Sequence, residues 1–377
     1  MAEASGPIPS RFEPPRRRLL APGPSAVHPR VLEAMARPVI GHLDPETLRM
    51  LDEIQGMLRE VFRTENELTF PVSGTGTAGM ECALANVLER GDVAIVMVSG
   101  AFAERMAEIA RRTGADVQVV GGRWGEPIGL DEVEASLRAH PNAKAVCAVH
   151  AETSTGLFQP LEGISDLCRE HRALFVVDAV ASLGGIPLEA DAWGIDVGYS
   201  GSQKCLSVPP GLAPITCSPA ARAAREERAS PPTSFYLDVL PISRYLGGDR
   251  LYHHTAPISM LYALHEGLRI VLEEGLEARW RRHAEIGAEL AAALEERGFR
   301  PVPPQGYRLP IVICVRLPEG LEDQPNRRRL LTEYGIEVAG GLGELAGKVW
   351  RVGLMGESYN RDNAQALVKA IDELVAG

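Results

Sequence analysis

The sequence predicts an α/β protein with a mostly parallel central sheet, followed by a smaller α+β domain at the C-terminal end. Three observations lead there. Between residues 93 and 177, apolar runs of strand length alternate with amphipathic segments of about ten residues, the pattern of βαβ units. The runs at 93–98, 145–150 and 173–177 hold no acidic or basic residue apart from a terminal histidine, as suits strands buried on both faces. Beyond residue 298 the chain changes character, to a strand at 309–315, a helix at 327–334, a strand at 349–354 and a helix at 360–375.

Taken in order, residues 1–20 read as an irregular arm rich in proline and arginine. A helix led by His28-Pro29 runs to about residue 37, and a second covers 46–62, with Leu48, Leu51, Ile54, Leu58, Val61 and Phe62 on one face. A strand at 68–72 runs into a glycine-rich stretch, and a helix at 80–90 follows, closed by Gly91. Strand 93–98, helix 102–112, strand 117–120, helix 130–138, strand 145–150, helix 162–171, and strands 173–177 and 195–199 complete the alternation, with one more strand at 212–217. Pro231-Pro232 opens a segment expected to stay irregular to Thr255. One long helical stretch, 258–298, connects to the last domain, so the expected organisation is arm 1–20, large domain 21–257, connecting helix 258–298 and small domain 299–377.

A net charge of −11 argues against a nucleic-acid partner, which calls for a basic face. No stretch of about 18 apolar residues offers a membrane span. The first twenty residues lack the apolar core of a secretory leader, and the last three are no peroxisomal address. Six scattered cysteines form no CxxC pair, so neither zinc nor a disulfide framework is signalled, and a reduced, cytoplasmic setting is the expectation. The chain has only four lysines. Lys144 precedes a strand and Lys369 falls on the polar face of the C-terminal helix, both in solvated surroundings, and Lys348 lies at the start of a late strand, in GKVWR. Lys204 alone sits among small and apolar residues able to desolvate an amine and lower its pKa.

The chemistry gathers at the ends of strands. Asp178 directly follows the run 173–177, and Lys204 lies just past the run 195–199; in open α/β sheets ligands bind at that edge. The stretch Gly74-Thr75-Gly76-Thr77-Ala78-Gly79 matches the dinucleotide pattern GxGxxG, yet the next strand, 93–98, ends in Ser99-Gly100 without the acid that would hold a ribose. What remains is a glycine loop opening a helix, whose free N–H groups and the hydroxyls of Thr75 and Thr77 suit a phosphate. A phosphate cradle, a strand-end acid and a desolvated lysine together describe a site for pyridoxal 5′-phosphate: the lysine bonds the aldehyde and the acid keeps the ring nitrogen protonated. Considered singly, Asp178 also suits a helix N-cap, and Arg351 suits an ordinary strand arginine. The pair His253-His254 is not read as metal ligands, since neighbours on an extended segment point to opposite sides.

The stretches SGTGT (73–77), HAETSTG (150–156), VDAVASLGG (177–185), YSGSQK (199–204), YHHT (252–255) and GKVWR (347–351) resemble those of the class V aminotransferases of PLP fold type I, in the alanine–glyoxylate / serine–pyruvate branch. The likeness runs from Leu20 to the C-terminal helix and implies helices on both faces of the sheet. It also implies roles. Lys204 would carry the cofactor and shuttle the proton; Asp178 would pair with the ring nitrogen, with Val180 on one ring face and Phe102 on the other. Thr153 would lie near the ring hydroxyl, and Thr75, Gly76, Thr77 and Gln203 would hold the phosphate. Tyr252 and Thr255 would reach that phosphate from the second subunit of a homodimer, while Arg351 would clamp the substrate carboxylate beside the Gly23-Pro24 loop. Thr77 and Phe102 depart from the histidine and tryptophan usual in that branch.

The same fold type serves other reactions. A desulfurase needs an exposed nucleophilic cysteine, and neither Cys314, inside a strand run, nor Cys205, beside Lys204, suits that part. The expectation is ping-pong transamination from a small amino acid, alanine or serine, to a small 2-oxo acid, glyoxylate or pyruvate. The alternatives are a relative using ureidoglycine, pyridoxamine or aspartate as donor, or a PLP lyase. A regulatory module would need an added DNA-binding segment, and no helix-turn-helix precedes the sheet.

Overall fold

A computed structural model describes residues 9–247 and 249–376; the first part of the arm lies outside them. Seven strands form the central sheet in the order Leu68–Ser73, Leu212–Cys217, Val197–Tyr199, Leu174–Asp178, Ala143–Val149, Val93–Val98, Asp116–Gly121. Leu212–Cys217 runs antiparallel to both neighbours and every other pairing is parallel, the mostly parallel sheet expected. Val93–Val98 and Leu174–Asp178 are buried at every position, whereas the edge strand Asp116–Gly121 is largely open to solvent.

The second sheet is antiparallel, in the order Arg300–Pro301, Val312–Arg316, Val349–Gly353, Ala339–Gly340. Helices Leu276–Glu296 and Arg361–Ala376 cover it over a separate core that includes Leu290, Phe299, Trp350, Leu367 and Ile371. The arm is not wholly irregular. Arg18–Leu19 pairs in parallel with Ile336–Glu337, and Leu20 is fully buried in this second core.

Four other sequence expectations change, each for a local reason. The helix after the glycine-rich stretch is Gly76–Val87, not 80–90, so the glycines form its first turn rather than a loop before it. The stretch 258–298 is two helices, Ile258–Glu274 and Leu276–Glu296, parted at Gly275, whose φ of 81° no right-handed helix accepts. The segment expected to be irregular contains the helix Val239–Leu246: Asp238 caps it by accepting from the Leu240 N–H, and Pro241 falls in the first turn, where no N–H is needed. Finally, His253 and His254 do not point apart. Their Nδ1 atoms lie 2.8 Å from one another, because no strand forms there and the two-residue alternation does not apply.

Candidate active site

Asp178 ends the strand Leu174–Asp178, and its register partner on the next strand is Tyr199. No helix follows Asp178, so it does not serve as an N-cap. Its carboxylate accepts from the Val180 N–H at 2.8 Å and from the Tyr199 hydroxyl at 3.0 Å. Burial pushes this carboxyl up to about 6 in spite of both bonds and of nearby Lys204.

Five residues beyond Tyr199, the chain brings Lys204 back toward the same strand ends. Burial, reinforced by the Arg351 guanidinium, lowers its amine to about 8. The amine donates to the Pro22 carbonyl oxygen. The segment around Gly23 is laced over the lysine's backbone: the Ser25 N–H donates to the Gln203 carbonyl oxygen and the Ser25 hydroxyl to that of Lys204. Gly23, at φ 93°, is so close that a Cβ there would lie 2.7 Å from the Lys204 Nζ.

Around these groups lies a recess lined among others by Thr75, Gly76, Thr77, Phe102, Thr153, Asp178, Val180, Gln203 and Lys204. The helix Gly76–Val87 opens onto it with Thr75 at its N-cap; the Ala78 N–H donates to the Thr75 carbonyl oxygen at 2.8 Å, while the N–H groups of Gly76 and Thr77 have no partner among the described residues. Phe102 sits in the first turn of the helix Ala101–Arg112. Thr153 is carried by a small hairpin between Ala151–Glu152 and Leu157–Phe158. The buried Oε1 of Gln203 has no partner among the described residues.

Several residues that shape this recess carry no signature in the sequence. Glu152, fully buried, accepts from the N–H groups of Phe102 and Ala103 at 3.1 Å and from the Ser154 hydroxyl at 2.6 Å, which ties the Phe102 helix to the Thr153 hairpin. Tyr199, Pro22 and Ser25 act on Asp178 and Lys204 from distant positions. None of these contacts has a spacing signature, and only the fold brings the partners together.

Arg351, on the strand Val349–Gly353, is 9% exposed. Its Nε donates to the Gly340 carbonyl oxygen at 2.7 Å and its Nη1 approaches the Thr153 carbonyl oxygen at 3.4 Å. Among the described residues no carboxylate lies within ion-pair distance of it. Tyr252 and Thr255 stand apart. They do not line the recess, and both are exposed at the surface.

The recess fits pyridoxal 5′-phosphate in the chemistry of its donors. It offers a partly neutral amine for the aldehyde, a buried carboxylate for a protonated ring nitrogen, an apolar side chain and an aromatic ring for the faces, and free N–H groups for the phosphate. A seven-stranded sheet with this constellation at its strand ends defines a PLP-dependent transferase. The comparisons then give the family: the model of Aminotransferase class-V matches residues 20–351, and the chain belongs to that family. The (S)-ureidoglycine–glyoxylate transaminase of Bacillus subtilis is 40% identical over 96% of this chain and 91% of its own length. The alanine–glyoxylate aminotransferase of Callithrix jacchus is 42% identical over 95% and 87%. The crystal structure of an alanine–glyoxylate aminotransferase from Nostoc sp. superposes with a TM-score of 0.97 at 46% identity, over 100% of this chain and 99% of that one.

Proposed function

We propose that this aminotransferase moves an amino group from a small amino acid, alanine or serine, to a small 2-oxo acid, glyoxylate or pyruvate, in two half-reactions at one site. The observation that carries the substrate class is Arg351, a buried guanidinium beside Lys204 with no carboxylate partner among the described residues. Buried charges are paired in folded proteins, and a substrate α-carboxylate suits the pair of Nη atoms.

When bound, pyridoxal 5′-phosphate supplies an electron sink that lets the substrate lose its α-proton and exchange its amino group. The remaining work falls to the chain. Lys204 Nζ, lowered to about 8, would take the proton from the substrate α-carbon and hand it to the cofactor carbon that receives the amino group, not back to its source. Asp178 keeps a positive charge at the ring nitrogen, Val180 and Phe102 fix the ring plane, and Thr75, Gly76, Thr77 and Gln203 hold the phosphate. Thr153 borders the substrate side, where Arg351 approaches its carbonyl oxygen.

The working unit is read as a homodimer in which Tyr252 and Thr255 complete the partner's phosphate site. Supporting this, Tyr252 is exposed at the surface together with Phe235, Tyr236 and Leu251, a set of large side chains of the kind that interfaces bury.

Ureidoglycine as donor is the second reading, favoured by the likeness to the Bacillus subtilis enzyme. Half-reaction spectra decide between them. Alanine or serine should convert the lysine-bound cofactor to its amine form and glyoxylate should reverse it; conversion by ureidoglycine alone would overturn the first reading.

A further inference from the structure

The phosphate end of the recess, on the reading proposed above, is built from neutral groups: two threonines, a glycine, a glutamine amide and a helix terminus. A phosphate monoester carries about −1.5 to −2 charge at pH 7. Three charged side chains line the recess. Asp178 has the wrong sign and Lys204 is assigned to the aldehyde. The third is Arg105.

Arg105 stands one turn beyond Phe102 on the helix Ala101–Arg112. Its guanidinium carbon lies 4.9 Å from the centroid of the Phe102 ring, and its Nη1 is 3.4 Å from the Thr77 hydroxyl. Among the described residues no carboxylate lies within ion-pair distance of it, although Glu104 and Glu108 share its helix. Its charge reaches both Asp178 and Lys204. A guanidinium that packs against an aromatic ring can still present N–H groups to an anion. We infer that Arg105 is the cationic anchor of the cofactor phosphate in this subunit, reaching it beside Thr77.

The test compares two ligands that differ only in the phosphate. Cofactor-free protein, prepared from the holoenzyme, is titrated with pyridoxal 5′-phosphate and with pyridoxal, for wild type and for Arg105→Met, Arg105→Gln and Arg105→Lys; circular dichroism checks the fold of each. Loss of one charge-assisted contact should weaken the phosphorylated ligand about tenfold to a hundredfold in the Met and Gln variants. Pyridoxal binding should stay as in wild type, and Arg105→Lys should recover part of the loss. Equal weakening of both ligands, or no change in either, would overturn the inference while leaving the site reading intact. Wild-type protein that binds neither ligand would overturn the site reading and this inference with it.

Discussion

Tyr199 donates its hydroxyl to Oδ2 of Asp178 across 3.0 Å, from the position in register with it on the neighbouring strand. With the Val180 N–H on Oδ1, the carboxylate is held in a fixed orientation inside the protein. Two neutral donors do not offset its burial, and it remains pushed up to about 6. A carboxylate in that position gains most from a cation, which is what a protonated ring nitrogen provides.

Asp178 therefore costs the cofactor-free protein stability. Its rise from the ordinary 3.8 to about 6 corresponds to about 3 kcal/mol at neutral pH. A raised carboxyl means that the folded state binds the proton more tightly, so the penalty contributed by Asp178 should fade as pH falls from 7 through 6 toward 4, whatever the buried histidines contribute to wild type and variant alike. Denaturant titration of cofactor-free Asp178→Asn should show a variant at least as stable as wild type at pH 7.5. That advantage should shrink by pH 4, while activity falls at every pH.

The rate at which cofactor attaches to Lys204 should follow the neutral amine. Below about pH 8 it should rise about tenfold per pH unit, then level off, instead of climbing toward 10.5. Arg351 disfavours the ammonium form, so Arg351→Gln should move the midpoint to higher pH. The same variant should lose about tenfold to a hundredfold in kcat/KM for the amino acid, the worth of a charge-assisted carboxylate contact. Stopped-flow absorbance and steady-state kinetics read the two effects separately.

Gly23→Ala should slow attachment of the cofactor with only a small loss of overall stability. The left-handed backbone there costs a side chain about 1 kcal/mol, and the added methyl would sit 2.7 Å from the amine that must react. Comparing attachment rate with Tm separates the two.

If Tyr252 and Thr255 serve the partner's site, inactive subunits should complement one another. Lys204→Ala lacks its own amine but keeps the surface arm; Tyr252→Phe/Thr255→Ala keeps the amine but lacks the arm. Equal mixing with subunit exchange should restore about a quarter of wild-type activity, since half the dimers are mixed and each has one intact site. An inactive mixture that has exchanged subunits would argue against a shared site.

The parts of this design legible in the sequence are those with local signatures. Asp178 and Lys204 stand just past apolar runs, and the glycine-rich stretch 74–79 announces a helix start, so the strand-end site could be assembled from pattern and spacing. Arg105 and Glu152 carry no such mark; one is a surface helix arginine and the other sits in a polar hairpin until the fold brings Phe102 against both. The helix Val239–Leu246 escapes a pattern reading because Pro231-Pro232 precede it and Pro241 falls in its first turn, and the break at Gly275 because helical periodicity runs on either side. His253 and His254 face one another because no strand forms there to impose alternation.

The central assignment is that Lys204, one of four lysines in the chain, is the amine that carries the cofactor. Holoenzyme reduced with borohydride, digested and examined by mass spectrometry should show the cofactor adduct on the peptide containing Lys204. An adduct on Lys144, Lys348 or Lys369, or a reduced protein with none, would contradict it.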